Sequence, residues 1–281
     1  MSEFGKNHTL RVSKQVDFGF YLEGLEHDEV LLPLKYAPPH LEIGDDIDVF
    51  IYLDSEDRPI ATTEIPYATV GQCAHLKAVD NSKFGTFLDW GLLKDLLVPF
   101  KEQRVPMEVG RYYTVVLYLD SSNRIAATSR LSDHLSEVDN EGTFALHEEV
   151  DLHIATRSEM GYRAVINGTH LGLVHNSDVF QKPKLGDKLK GYIKSVRDDG
   201  RINISLQPTE PEKTMQRRGE LTDKILEHLE RHEGRSPLTD KSPPDDIYAV
   251  YNVSKANYKK ALGQLYKAKR ITITREQIKL V

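Results

Sequence analysis

Tyr52-Leu53-Asp54-Ser55-Glu56-Asp57-Arg58-Pro59-Ile60-Ala61-Thr62 returns sixty-six residues later as Tyr118-Leu119-Asp120-Ser121-Ser122-Asn123-Arg124-Ile125-Ala126-Ala127-Thr128. The Tyr-Leu-Asp-Ser run, the Arg and the closing Ala-Thr align without a gap. Two further pairs keep the same shift. Phe18-Gly19-Phe20-Tyr21-Leu22 matches Phe84-Gly85-Thr86-Phe87-Leu88, and Leu32-Pro33-Leu34-Lys35 matches Val98-Pro99-Phe100-Lys101. Three matches at one spacing identify a duplicated module, and a fixed-period repeat constrains the fold before any single element does.

A third copy follows at a shift of 76: Met160-Gly161-Tyr162-Arg163-Ala164 against the Phe84 segment, Leu173-Val174-His175 against Leu97-Val98-Pro99, and Leu185-Gly186-Asp187 against Val109-Gly110-Arg111. Arg201-Ile202-Asn203-Ile204-Ser205-Leu206 closes that unit. Short stretches rich in β-branched and aromatic residues recur inside each copy: Leu10-Arg11-Val12, Val49 to Leu53, Thr114 to Tyr118, and Leu189 to Ile193. Asp198-Asp199-Gly200 reads as a hairpin turn. A unit of about 60 residues buries little as an open sheet, so closure of five strands into a small barrel is expected. The fold expected is therefore mainly β with some α. Barrels cover residues 1–67, 68–138 and 139–208, and a fourth domain covers 209–281.

That last domain has a different grammar. Thr209-Glu210-Pro211-Glu212 reads as a capping box opening a helix with Met215, Leu221, Ile225 and Leu229 inward, and Gly234 ends it. Ser242-Pro243-Pro244-Asp245 is expected to cap a short helix over Ile247, Val250 and Tyr251. Ser254 caps a third, with Tyr258, Ala261, Leu262, Leu265 and Tyr266 at helical spacing. Ile271 to Thr274 and Ile278 to Leu280 alternate as a final hairpin. Three helices and a β-wing are the winged-helix order.

Net charge is −6, but its distribution is uneven: residues 1–70 carry −9 and residues 211–281 carry +5. The basic end suits a phosphate backbone, and the acidic start repels one. Cys73 is the only cysteine, so neither an intrachain disulfide nor a cysteine-based zinc site is expected. It follows Gly71 at a strand start, where a small buried apolar group is expected. No apolar run suggests a membrane helix and the N-terminal residues carry no signal core, so the cytoplasm is the expected compartment.

The aromatic-Gly-x-aromatic strand, Gly172-Leu173-Val174-His175-Asn176-Ser177, Gly186-Asp187 and Gly200-Arg201-Ile202-Asn203-Ile204-Ser205 together resemble the S-one-type RNA-binding domain, an oligonucleotide-binding barrel. Units one and two keep the aromatic strand and the Arg but carry Pro33 and Pro99 in place of the His. Three such domains before a winged helix are similar to the conserved virulence factor B family of bacterial RNA-binding regulators. The resemblance covers residues 8–281.

The resemblance implies single-stranded RNA lying across the barrels, with bases stacked on aromatic rings and cations along the backbone. It assigns Phe18, Tyr21, Phe84 and Phe87 to the ring positions, Arg58, Arg124 and Arg201 to the basic position and His175 to the histidine. Rings three apart share a strand face only if a bulge intervenes, and the intervening Gly can host one. The same rings could equally be core. Unit three replaces both rings, with Met160 and Arg163, although a guanidinium can still stack on a base. On the third helix of the last domain, at the recognition position, Lys255, Lys259 and Lys260 make a phosphate-facing surface or a solvated helix face.

No Walker A loop, Gly-x-Ser-x-Gly, His-Glu-x-x-His or dinucleotide fingerprint is present, and His147 and His153 lack metal-ligand spacing. The expectation is an RNA-binding regulator with no catalytic residues, no metal and no cofactor. Two alternatives stand: a duplex-DNA-binding regulator working through the winged helix, and a scaffold whose winged helix or acidic first barrel docks a protein.

Overall fold

The computed structural model describes residues 3–23, 29–179 and 182–281, without the side chains of 211–218. Barrel 1 comprises β1 (Asn7–Val16), β2 (Gly19–Glu23), β3 (Val30–Pro33), β4 (Asp46–Leu53) and β5 (Pro59–Thr62), closed in the order β1-β2-β3-β5-β4. Barrel 2 repeats that order with β6 (Cys73–Asn81), β7 (Gly85–Asp89), β8 (Leu96–Pro99), β9 (Tyr112–Leu119) and β10 (Ile125–Thr128). Barrel 3 repeats it again with β11 (Glu149–Arg157), β12 (Gly161–Ile166), β13 (His170–His175), β14 (Lys188–Val196) and β15 (Ile202–Ser205). The third and fifth strands pair in parallel and so seal each cylinder.

The inward residues follow the period of two. In barrel 1, Phe20, Leu22, Val30, Leu32, Ile51 and Ala61 fill the interior. In barrel 3, Tyr162, Ala164, Val174, Ile193, Ile202 and Ile204 do so. The glycine after each ring position is needed for a close approach. A Cβ on Gly19, Gly85 or Gly161 would lie 2.2, 2.1 or 2.0 Å from the facing carbonyl oxygen of Leu32, Val98 or Val174. The bulge expected at that glycine lies instead on the preceding strand, between Val12 and Lys14, Ala78 and Asp80, and Ile154 and Thr156. The glycine serves the tight β2–β3 contact, while the long first strand takes the bend that closure requires.

The barrels are not independent beads. Phe50 and Tyr52, outward on β4, enter the core cluster of barrel 2, where Phe50 meets Trp90 edge-on at 5.7 Å. Lys94 Nζ donates to the Leu53 carbonyl across the same seam, and Arg124 donates two hydrogen bonds to Asp57 at 2.5 and 2.6 Å. Cys73, Val116, Leu131 and Leu135 pack on Ala155, Val165 and Leu171 to join barrels 2 and 3. Cys73 is the small buried group expected, and burial pushes its thiol up to about 12.

The last domain runs α1 (Pro211–Arg231), β16 (Arg235–Ser236), α2 (Pro244–Tyr251), α3 (Lys255–Lys267), β17 (Ile271–Ile273) and β18 (Ile278–Leu280), with the sheet in order β16-β18-β17. Leu221, Ile225, Leu229, Ile247, Tyr251, Tyr258, Ala261, Leu262 and Leu265 form its core. Met215, also expected there, has its side chain outside the described residues. Ser254 Oγ caps α3 by accepting from the Asn257 amide at 3.0 Å. The other two caps differ from expectation. Glu210, not Thr209, is the N-cap of α1 and makes no side-chain cap. Thr209 Oγ1 hydrogen-bonds His147 Nδ1 at 2.6 Å and ties the helix start to barrel 3, and the side chain of Glu212, the other half of the expected capping box, lies outside the described residues. Pro243 is the N-cap of α2, and Ser242 Oγ turns back to accept from the Thr239 amide. Val250 and Tyr266 are exposed, at 47% and 57%. On the two-turn α2, Ile247 and Tyr251 at i and i+4 already occupy the inward stripe. Tyr266 lies in the last turn of α3, beside the buried Leu265 but off its face. No helix among the described residues is long and apolar enough to cross a membrane.

Candidate nucleic-acid interface

Each barrel presents one outward row of cross-strand neighbours beside its ring position. In barrel 1 the register links Tyr21, Leu31, Ile60 and Tyr52. In barrel 2 it links Phe87, Leu97, Ala126 and Tyr118. In barrel 3 it links Arg163, Leu173, Asn203 and Ser195. Inward neighbours on both sides of Tyr21 and Phe87 force these rings outward, where they are half-buried on the sheet surface.

Phe18 and Phe84 sit in the tight turns before β2 and β7 and are 58% and 64% exposed. Neither ring belongs to the core of its barrel. Each ring residue also has an apolar companion that sequence reading missed. The Leu34 amide donates to the Phe18 carbonyl at 3.0 Å, and the Phe100 amide to the Phe84 carbonyl at 3.2 Å. Leu34 and Phe100 are both 55% exposed. The signal was available, since Leu34 and Phe100 lie in the Leu-Pro-Leu-Lys repeat at the same shift of 66. Cations border the rings: Lys83 Nζ lies 5.0 Å from the centre of Phe84, and Lys14 Nζ 5.7 Å from that of Tyr21. An ammonium beside a ring attracts the phosphate of a base that stacks there.

The rows differ in what remains open. In barrel 1, Tyr52 belongs to the core of barrel 2 and Ile60 packs on it, so half of the row is covered. In barrel 2, Tyr118 is half-buried against His134, ring centres 5.0 Å apart, while Phe84, Phe87 and Phe100 keep exposed area. Burial and the nearby Glu102 and Asp120 carboxylates push the Tyr118 hydroxyl up to about 12. In barrel 3 the row is polar. His175 Nε2 donates to Asn203 Oδ1 at 2.9 Å, and Asn203 Nδ2 donates to Ser195 Oγ at 3.0 Å.

The arginines fare unequally. Arg58 folds back on its own hairpin, onto Asp54 at 2.8 Å and Glu56 at 3.0 Å. Arg124 is held by Asp57, whose carboxyl it keeps below the usual range, and so ties two barrels together. Arg201 is 4.0 Å from Asp199 and mostly exposed. Arg163 pairs with Glu137 at 2.5 Å and donates to Ser132 Oγ at 3.3 Å. A hydrogen bond from Ser132 and then the Arg163 guanidinium hold the Glu137 carboxyl below the usual range. Arg163 also lines a cavity of about 180 Å³ with Arg104 and Arg130, two residues sequence reading did not single out.

On the winged helix, Lys259 and Lys260 project from α3 into solvent. Lys255 is half-buried and donates to the Lys241 carbonyl at 3.2 Å, which fastens α3 to the loop before α2. Among the described residues no group of three or more His, Cys, Asp or Glu side chains is arranged to hold a metal ion.

Family comparisons agree with this architecture. A profile described as "S1 domain" matches residues 4–64 and again 70–130. "Virulence regulatory factor CvfB, second domain" matches 146–208, and "CvfB-like winged helix domain" matches 223–280. The Bacillus subtilis protein YitL is 32% identical over 276 residues, which span 94% of this chain and 89% of that protein. Conserved virulence factor B of Staphylococcus aureus is 28% identical over 254 residues, spanning 85% and 81%. A Streptococcus pneumoniae crystal structure described as a multidomain protein with nucleic acid binding domains is 23% identical across 99% of both chains, with a TM-score of 0.42. Built from S1-type barrels and a winged helix, the chain belongs to the conserved virulence factor B family of regulators.

Proposed function

We propose that this chain is a non-catalytic regulator that holds single-stranded RNA, chiefly along barrels 2 and 3. One observation carries the reading: Phe84 and Phe100, joined through their backbones, expose aromatic surface beside the Phe87 row and the Lys83 ammonium. Stacked bases gain ~1–3 kcal/mol each on such platforms, without needing a particular sequence. Barrel 3 supplies the hydrogen-bonding part of the path through His175, Asn203 and Arg163. Barrel 1 contributes least, because barrel 2 covers half of its row and its segment carries −9. Phe18 and Tyr21 form an outer edge that a longer strand could reach. The exposed Lys259 and Lys260 add phosphate contacts. Photo-crosslinking of a thiouridine-labelled single strand tests this. Adducts are expected on peptides containing residues 84–100 and 163–175. Adducts confined to residues 211–281 would favour the alternative in which the winged helix alone binds nucleic acid.

A further inference from the structure

Resting on that RNA reading, we infer that the cavity at the joint of barrels 2 and 3 binds one phosphate of the strand and fixes how the strand crosses from one barrel to the other. The cavity is lined by Arg104, Ser129, Arg130, Leu131, Ser132, Asp133, Thr156 and Arg163. Three of these residues are arginines and three carry hydroxyls, of which Ser129 donates to the Glu102 carbonyl and Ser132 to the Glu137 carboxylate. Guanidinium forks match phosphate oxygens in pairs, and hydroxyls complete such a shell. Two carboxylates oppose them: Asp133 in the lining and Glu137, which pairs with Arg163. Among the described residues Arg104 and Arg130 form no ion pair, and both are exposed. At about 180 Å³ the cavity has room for a phosphate group.

The internal duplication supplies a control. At the shift of 66, Arg104 corresponds to Pro38 and Arg130 to Glu64. The scaffold is the same in both copies. Thr62 Oγ1 accepts from the Glu64 amide at 3.0 Å, and Thr128 Oγ1 accepts from the Arg130 amide at 3.0 Å. The 3-10 turns Leu34–Tyr36 and Phe100–Glu102 precede Pro38 and Arg104 alike. The fold therefore does not need these arginines, and only the copy that faces barrel 3 carries them. Location adds to the case. Arg163 lines the cavity and also begins the polar row of barrel 3, opposite Leu173. Arg104 lies four residues beyond Phe100, in the aromatic edge of barrel 2. A phosphate held here lies between a base on the rings and a base beside His175.

The test measures binding of one fluorescent single-stranded RNA to the full chain between 50 and 200 mM salt. Arg104→Ala combined with Arg130→Ala should reduce the salt slope by roughly 0.7, the share of the one phosphate given up. The variant should thus lose about 2.6-fold less affinity across that range than wild type does. Its melting temperature should match wild type. An unchanged affinity and slope in a folded double variant overturns the inference. If wild type binds no RNA, the RNA reading fails by itself, and inorganic phosphate then tests the cavity alone. At constant ionic strength it should raise the melting temperature of wild type and not of the double variant. Equal stabilisation of both overturns the site.

Discussion

Replacing Phe84 with Ala removes an exposed ring and leaves the barrel interior intact. A phenylalanine side chain carries on the order of 200 Å² of surface, and 64% exposure leaves roughly 130 Å² open. A stacked base covers one face, about half of that. At ~25 cal/mol/Å² the loss is about 1.6 kcal/mol, or roughly fifteenfold in Kd. This agrees with the ~1–3 kcal/mol typical of a stacked base. Folding stability should change by no more than ~0.5 kcal/mol, as for other surface sites. Leu88, on the β7 strand that follows the Phe84 turn and fully buried, is the matched control. Leu88→Ala should cost ~2–5 kcal/mol of stability and leave affinity per folded molecule unchanged. Fluorescence anisotropy with a single-stranded RNA and urea melts give both quantities. If Phe84→Ala behaves like Leu88→Ala, Phe84 is a packing residue. If it changes neither quantity, no base stacks there.

Neutralising Lys255, Lys259 and Lys260 together should weaken binding about equally for unrelated RNA sequences and lower the salt slope by roughly 0.7 per lost contact; an unchanged slope would assign α3 to a protein partner. Trp90 is the single tryptophan and is 3% exposed at the seam of barrels 1 and 2. Trp90→Ala should cost ~3–5 kcal/mol in urea melts followed by circular dichroism, and a cost below ~1 kcal/mol would mean that the seam is not packed as described. His153 is buried between barrels 2 and 3 with Nε2 unpartnered, and desolvation, then the charges of Lys188 and His75, lower its pKa to about 4. Because the unfolded chain binds that proton more readily, stability should fall as pH drops from ~6.5 towards 4, by up to ~3 kcal/mol. His153→Phe should flatten the profile in that window, and an identical profile in the variant would place the pH sensitivity elsewhere.

The barrels were legible because a repeat testifies twice to each strand: two copies of Tyr-Leu-Asp-Ser closing on Ala-Thr fix the β4–β5 hairpin, and the glycine after each ring fixes the β2–β3 contact. Exposure of the rings was not legible, since Phe20 and Tyr21 are neighbours of similar chemistry and only the register sends one inward and the other out. Nor did sequence reveal what the barrels do to one another. Phe50 and Tyr52 read as strand residues of unit one, yet their rings complete the core of unit two. Arg124, matched to a ligand position, pairs with Asp57 of the neighbouring barrel. Arg104 and Arg130 stand in loops without any local pattern, so only the joint that brings them to Arg163 gives them meaning. In the winged helix, helical spacing placed Ile247, Tyr251, Tyr258 and Leu262 correctly. It misplaced Val250 and Tyr266, because short helices bury a narrow stripe.

Binding of a single-stranded RNA and a duplex DNA of equal length, each at two salt concentrations, tests most directly whether the barrels hold the ligand. Ring stacking needs unpaired bases, so the single strand should bind more tightly at both salts, and a large part of its affinity should survive at the higher one. Duplex DNA binding as tightly as the single strand at matched salt, and falling with salt as steeply or less, would contradict a barrel-centred interface and leave the winged helix as the nucleic-acid-binding element.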